Sequence, residues 1–260
     1  MDVILTAGGI PTPDDPLYVN TQGKPKAMLP IDGKPMIQWV LDCLAATKGI
    51  DQVVLVGLDD QFTMSYPRKL TRLQAQGSMV SNMVTAAKYL LENDSSGAQT
   101  LIMASDIPAI KPHMLEWMIK EIENTDHDIT YTVVTKSVME GRYPESNRSY
   151  VKLKDAVVCG GDVNAINIKT VNYDNPIWRD LIDNRKNAFK QASLIGFDTL
   201  FLLFIRAFSL SQLEKRVSKR LGIKGRLIIS PYAETAMDVD KPGQLSMIES
   251  DFFVNDRLTF

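Results

Sequence analysis

Three short and nearly uninterrupted apolar runs stand out in the first half of the chain, at residues 3–6, 53–56 and 100–104. Runs of this length are typical of central strands that are buried on both faces of a parallel sheet. Between them, apolar residues recur three and four positions apart, which predicts amphipathic helices. Alternating strands and helices indicate an α/β fold with right-handed crossovers. The helical sets are Ile37, Val40, Leu41 and Leu44; Val80, Met83, Val84, Ala87 and Leu91; and Leu115, Met118, Ile119 and Ile122.

Two polar stretches interrupt this pattern. Residues 10–25 contain four prolines and predict a long loop, which in a compact domain is usually functional or mobile. Residues 59–78 are polar and uneven.

The pattern changes beyond Asp126. Residues 129–135 alternate apolar side chains with threonine and tyrosine, as in a half-exposed strand. Residues 150–154 and 157–158 predict short antiparallel strands, and residues 226–230 predict a last strand.

Between these strands the chain predicts helices. We expect one from about Pro176, an apolar stretch follows at residues 194–208, and residues 209–221 predict an amphipathic basic helix. A membrane-spanning helix needs about twenty apolar residues, whereas this stretch is shorter and is interrupted by Asp198 and Arg206. We therefore expect it to be buried against the domain or in a homodimer. A peripheral contact of residues 194–221 with an anionic membrane stays open as the alternative. The basic residues of the last helix are Lys215, Arg216, Lys219 and Arg220.

Composition narrows the choice of function. At 260 residues the chain fits one α/β domain with a helical insertion at about 176–222. The formal net charge of −2 provides no global positive field for nucleic acid, so an anionic ligand would have to be bound by local cations. Cys43 and Cys159 lie far apart and, with two histidines, indicate neither a disulfide framework nor a zinc cluster. No basic region precedes the first apolar run, so we expect no signal peptide and a cytoplasmic protein.

The first apolar run leads into a glycine turn at Gly8 and Gly9. A turn without side chains lets backbone N–H groups approach a phosphate closely, and Lys24 and Lys26 would add point charges. The spacing is not that of a Walker loop, and Pro11 breaks the dinucleotide fingerprint. A glycine pair alone is explained equally well by backbone geometry, so the lysines favour the interpretation as a nucleoside triphosphate site.

A carboxylate, Asp106, follows the third apolar run and precedes Pro108 by two residues. At the carboxyl end of a parallel strand it would point into the crevice where open α/β sheets bind ligands. We interpret it as a metal ligand. The alternative is a turn cap before the proline, a position that Asp favours.

Lys26 opens the run Lys-Ala-Met-Leu-Pro-Ile-Asp-Gly-Lys-Pro-Met-Ile. Together with the Ala-Gly-Gly turn, this run resembles the start of nucleotidyltransferases of the nucleoside-diphosphate-sugar pyrophosphorylase type. It is most similar to the branch related to molybdenum-cofactor guanylyl- and cytidylyltransferases. The resemblance extends over residues 1–125 and 236–250 and fades between them. It implies a three-layer α/β/α, Rossmann-like sheet of the GT-A nucleotidyltransferase type, mostly parallel, with a helical insertion.

The same resemblance implies a reaction. The chain would be a single NTP-transferase domain, with a nucleotide-binding half at residues 1–125, an acceptor-binding half at 126–235 and a closing element at 236–260. It would move a nucleoside monophosphate from an NTP, with CTP or GTP favoured, to a small phosphorylated acceptor. Magnesium would be the cofactor and pyrophosphate the leaving group.

The site residues that the resemblance implies form three groups, with Lys26 and Asp106 as the catalytic pair. Each group also has an interpretation without a ligand. The segment of the nucleotide ligands before the helix could be an N-terminal cap formed by Ser78, Asp240 could cap the helix that follows it, and the basic residues could form an ordinary solvated face. The groups are the nucleotide ligands Ala7, Gly8, Gly9, Lys24, Lys26, Gly77, Ser81 and Asn82; the metal ligands Asp106, Asp238 and Asp240; and the acceptor ligands Arg142, Arg148, Lys152, Gly161 and Asn164.

The chain departs from the family pattern in one respect. Relatives commonly carry an arginine soon after the glycine turn, but no arginine occurs here before Arg68. Lys24 is the candidate substitute, although a lysine cannot bind phosphate through a bidentate fork. Two rival functions remain: a GT-A glycosyltransferase, which would usually show Asp-x-Asp after a strand, and a nucleotide-binding protein without turnover.

Overall fold

A sheet of nine strands forms the centre of the described molecule. The structure is a computed structural model and describes residues 1–93, 99–123, 125–171 and 208–257. Two further strands, β2 and β3, form a separate hairpin. In chain order the strands are β1 (Asp2–Thr6), β2 (Pro30–Ile31), β3 (Lys34–Pro35), β4 (Gln52–Val56), β5 (Lys69–Leu73), β6 (Gln99–Ala104), β7 (Ile129–Thr135), β8 (Val151–Lys152), β9 (Val157–Gly160), β10 (Val163–Asn167) and β11 (Gly225–Ser230).

Helices cover both faces of this sheet. Val3 and Leu5 of β1 belong to a buried core that includes the second and fourth helices, whereas Ile4 packs with the third. Successive side chains of a strand point to opposite faces, so the third helix lies on the other side of the sheet. This confirms the three-layer α/β/α architecture. The helices are α1 (Tyr18–Thr21), α2 (Met36–Ala46), α3 (Met79–Glu92), α4 (Pro112–Glu123), α5 (Lys136–Arg142), α6 (Leu210–Leu221) and α7 (Pro242–Arg257).

The first half of the sheet is parallel, in the order β5-β4-β1-β6. The three predicted apolar runs are thus the adjacent strands β4, β1 and β6. Strand β5 lies within the polar stretch 59–78, where its half-buried and exposed residues leave no apolar run to recognise. Helix α1 interrupts the predicted loop 10–25.

In the second half of the sheet, β10 runs antiparallel between β6 and β7. Strand β9 also pairs antiparallel with β7, and Gly161 and Asp162 join β9 to β10. The backbone N–H of Ala104 donates to the Asp162 carbonyl at 3.2 Å, which brings Asp162 to the carboxyl end of β6. The last strand predicted at residues 226–230 is β11, and it pairs in parallel with β7.

Helix α6 packs its apolar side on β11 and its neighbours. Leu210 and Leu213 contact the apolar cluster of Val133, Leu153 and Val158. Two polar side chains of the helix also cover backbone N–H groups of β11: the Glu214 carboxylate accepts from Leu227 at 2.7 Å and the Ser218 hydroxyl accepts from Gly225 at 3.1 Å. Helix α6 thus covers backbone groups along β11, which discourages this strand from pairing with another chain.

The rest of the predicted helical insertion, residues 176–207, lies outside the described residues, including the expected helix from Pro176 and most of the apolar stretch. Within the ranges that the structure describes, no helix combines the length and apolar character needed to cross a membrane.

Candidate active site

A cleft of about 460 Å³ opens at the carboxyl ends of β1 and β6. One wall is the glycine turn after β1, and another is the start of α3 with the residues just before it. The remaining wall carries the side chains of Lys26, Asp106, Asp162, Asp238 and Asp240. This is the position at which open α/β sheets bind ligands.

The glycine turn is held by backbone contacts on both sides. Ala7 N–H donates to the Val56 carbonyl at 2.9 Å, and the Gly9 carbonyl accepts from Lys26 N–H at 2.8 Å. Gly57, which follows β4, has φ +103°, and a Cβ there would lie 2.8 Å from both Cα and N of Gly8. Only glycine fits this close approach. Sequence reasoning missed Gly57, because the need for it arises from a contact between neighbouring strands.

Lys26 begins a short 3-10 helix, Lys26–Met28, directly after the extended Pro25. The buried side chains of Ala27 and Leu29 fix this segment to the core. The Lys26 ammonium forms ion pairs with both Asp106 and Asp240. Burial is the largest influence and lowers the pKa of Lys26, but the two carboxylates together raise it above its ordinary value. The ammonium therefore stays charged in the cleft.

The two predicted metal-ligand segments meet at this lysine. Val239 N–H donates to the Asp106 carbonyl at 2.9 Å, which ties the closing element to the end of β6. Oδ2 of Asp106 faces Lys26, whereas Oδ1 is buried and accepts no hydrogen bond from the described residues. The Asp240 side chain pairs with Lys26 and stays half exposed. A buried carboxylate oxygen without a partner is costly unless something else binds it.

Asp162 joins the cleft although sequence reasoning did not select it. Its backbone N–H donates to the Thr235 carbonyl at 2.8 Å and its carbonyl accepts from Ala104 N–H, so it links β6 to the segment just before the closing element. Burial raises the pKa of Asp162 to about 7, with a further contribution from the Asp106 carboxylate and an opposing one from Arg148. Its position depends on the insertion of β10 beside β6, a long-range pairing without a local signal.

Arg148 forms the second cationic centre of the site. Its guanidinium forms an ion pair with Asp238 and lies 3.8 Å from Asp162. Lys26 and Arg148 are therefore each shared by two carboxylates of the cleft. When all four carboxylates are ionised, they leave a formal charge of −2 against the two cations.

Of the three predicted nucleotide residues near α3, Gly77 and Asn82 lie in the cleft wall, whereas Ser81 takes part in the N-terminal cap of the helix. Ser78 is the N-cap of α3, since its hydroxyl accepts from Ser81 N–H at 3.1 Å, and the buried Ser81 hydroxyl contacts Ser78 at 2.9 Å. The capping interpretation is thus confirmed. Gly77 and Asn82 line the cleft, and the side-chain oxygen Oδ1 of Asn82 accepts from Gln76 N–H at 2.7 Å.

The structure does not bring the remaining predicted residues to the cleft wall. Lys24 is exposed away from it, and Lys152 is exposed on β8. Arg142 binds two carboxylates instead, at 3.1 Å from Glu234, just before the closing element, and at 2.6 Å from Asp251 within it. Gly161 and Asn164 form hydrogen bonds with each other and with Thr132.

Comparison with known proteins identifies similar chains. The family model of the MobA-like NTP transferase domain matches residues 20–166, which is more than half of the chain. A ribitol-5-phosphate cytidylyltransferase from Streptococcus agalactiae serotype III (strain NEM316) is 26% identical over 147 residues, which cover 52% of this chain and 58% of that protein. The match thus spans less than two thirds of the length of this curated relative.

Solved structures are similar over nearly the whole chain. A hypothetical transferase from Thermus thermophilus superimposes with a TM-score of 0.77 at 26% identity, covering 94% of this chain and 98% of its own. A CMP:2-keto-3-deoxy-manno-octonic acid synthetase complexed with CTP has a TM-score of 0.60 at 16% identity, covering 98% of both chains. At 16% identity, the similarity to this synthetase shows only that the two proteins share a fold.

Proposed function

We propose, because the chain belongs to the MobA-like NTP transferase domain family, that it transfers a nucleoside monophosphate from an NTP to a small phosphorylated acceptor and releases pyrophosphate. The observation that supports this most strongly is the grouping of Lys26, Asp106 and Asp240 beside the glycine turn. A triphosphate needs closely spaced N–H donors and a fixed cation, and the cleft has both.

Each of these groups has a role in the transfer. Backbone N–H groups at Gly8 and Gly9 would bind the leaving pyrophosphate, and the Lys26 ammonium would stabilise charge that develops at the α-phosphorus. The acceptor phosphate is already ionised at neutral pH, so the reaction needs no side-chain nucleophile. We therefore propose direct, in-line transfer between the two bound substrates.

The cleft also fits a divalent cation, and Mg²⁺ is the proposed one. Its side chains keep a formal charge of −2, and Oδ1 of Asp106 is buried without a partner among the described residues. In the part of the chain that the structure describes, no three acidic, histidine or cysteine side chains form a metal site of their own. Mg²⁺ commonly binds through one or two carboxylates together with substrate phosphates. Asp106 with Asp240 or Asp238 would hold it, and the ion would neutralise charge on the phosphates.

We propose CTP as the first nucleotide to test and GTP as the second. CTP is supported by the similarity to a ribitol-5-phosphate cytidylyltransferase, which also suggests a phosphorylated polyol or sugar as the acceptor. The nucleotide would lie between the glycine turn and the start of α3, near Gly77 and Asn82. The acceptor would then occupy the opposite side of the cleft, near Asp162.

A pyrophosphate-release screen tests this function. The protein would be incubated with Mg²⁺, each NTP in turn and a panel of phosphorylated polyols and sugars, with the Asp106→Asn variant as the control. We expect release that requires both an NTP and one acceptor class, and that the variant loses. Nucleotide binding without release would favour a non-catalytic protein. Consumption of a sugar nucleotide in place of an NTP would favour a glycosyltransferase.

A further inference from the structure

Arg148 extends from the segment between α5 and β8 towards the carboxylates of the cleft wall, and both of its terminal nitrogens have partners there. Nη1 forms the ion pair with Asp238, whereas Nη2 donates to the Gly160 carbonyl at 3.1 Å and faces Asp162 at 3.8 Å. Only 15% of the side chain is exposed. An arginine that binds a diffusing phosphate would instead need free donors directed at solvent.

The segment that carries Arg148 is also fixed to the closing element. The Gln244 side-chain amide donates to the Ser146 carbonyl at 3.1 Å, and the Lys241 ammonium donates to the Asn147 carbonyl at 3.2 Å. Asn147 adopts φ +50°, a conformation that such contacts help to maintain. Arg148 and Asp238 thus belong to two segments held together by several bonds, which limits how far the guanidinium could move towards a ligand.

We infer that Arg148 is a positioning residue, whose guanidinium neutralises and orients Asp162 and Asp238 so that the cleft accepts a triphosphate, and that it does not bind the acceptor. This inference rests on the proposed function. The physical reason is charge: without Arg148, two poorly exposed carboxylates would lose their shared cation beside the site of a highly anionic ligand. The nucleotide would then be repelled even when no acceptor is present.

The test is a double-mutant cycle on CTP binding without acceptor, at a fixed Mg²⁺ concentration and at about pH 9, so that the Asp162 carboxyl is ionised. We expect Arg148→Met to weaken CTP binding by about tenfold, equivalent to about 1.4 kcal/mol. Adding Asp162→Asn to that variant should return the affinity to within about threefold of wild type, because the uncompensated charge is removed. Arg142→Met is the matched control: it also separates an arginine from two carboxylates, but outside the cleft, and should leave CTP affinity unchanged.

Two further measurements complete the test. Arg148→Lys keeps the charge and should retain more of the CTP affinity than Arg148→Met. At saturating CTP, the acceptor KM of Arg148→Met should stay within about threefold of wild type. A CTP affinity that is unchanged, together with an acceptor KM raised tenfold or more, would overturn the inference and make Arg148 an acceptor ligand.

A failure of the proposed function can be distinguished from a failure of the inference about Arg148. If the wild-type protein bound no NTP at all, the thermal melts of the same variants would still decide the role of Arg148. A melting temperature lowered in Arg148→Met and recovered in the double variant supports the pairing with Asp162, whereas no recovery rejects it.

Discussion

Replacing Lys26 with alanine removes the cation that Asp106 and Asp240 share. Its backbone N–H is bonded to the glycine turn and its neighbours Ala27 and Leu29 are buried, so the ammonium is held in place before any ligand arrives. A group fixed in this way contributes mainly to the transition state.

The expected loss follows from that preorganisation. Removing one fixed charge donor typically costs about 3–4 kcal/mol in activation free energy, which is a factor of roughly 10²–10³ in kcat. NTP binding should suffer less, because Lys26 acts on charge that develops at the α-phosphorus in the transition state, and an interaction of that kind affects the rate more than ground-state binding. Lys26→Ala should therefore lower kcat far more than it weakens NTP binding.

Lys24→Ala is the matched control, since Lys24 is exposed and lies away from the cleft wall. Any effect of this variant should fall on NTP affinity and leave kcat nearly unchanged. Single-turnover rates and NTP dissociation constants of both variants check the assignment. Equal effects of the two substitutions, or a larger loss of kcat in Lys24→Ala, would refute the role given to Lys26.

Three further substitutions test the site. Asp106→Asn should keep the melting temperature within a few degrees but abolish Mn²⁺ binding in the presence of CTP and lower turnover at least about a hundredfold; a near-normal rate would refute its role. Gly57→Ala should lower the melting temperature by about 5–10 °C, because the new Cβ would lie 2.8 Å from Gly8, whereas Gly141→Ala meets no atom within 4 Å and should not. Folding raises the pKa of Asp162 from 3.8 to about 7, so the ionised carboxylate destabilises the folded state. This destabilisation grows as the pH rises through that range. Asp162→Asn should therefore gain stability over wild type from pH 4 to pH 7 in EDTA, and a constant difference would contradict this.

The parts of the site that the sequence predicts are those with a local pattern. Continuous apolar runs identified β1, β4 and β6, and the carboxyl end of β6 placed Asp106 in the crevice. The family resemblance selected Lys26. Its pairing with Asp240, 214 residues away, follows from the fold and could not be derived from spacing.

The residues that were missed depend on contacts between distant segments. Asp162 reaches the cleft because β10 pairs antiparallel with β6, and Gly57 must be glycine because Gly8 lies against it. The sequence predicts Arg142 at the acceptor, but the residue contacts Glu234 and Asp251. Basic residues in an irregular stretch carry no information on which carboxylates they will meet.

The most direct measurement of the central claim is ³¹P NMR of a complete reaction with CTP, Mg²⁺ and the acceptor selected by the pyrophosphate screen. Transfer of a nucleoside monophosphate to an acceptor phosphate predicts two coupled phosphorus signals of a new diphosphate bridge, formed in equal amount to free pyrophosphate. Inorganic phosphate in place of pyrophosphate, or pyrophosphate released without a diphosphate product, would contradict it.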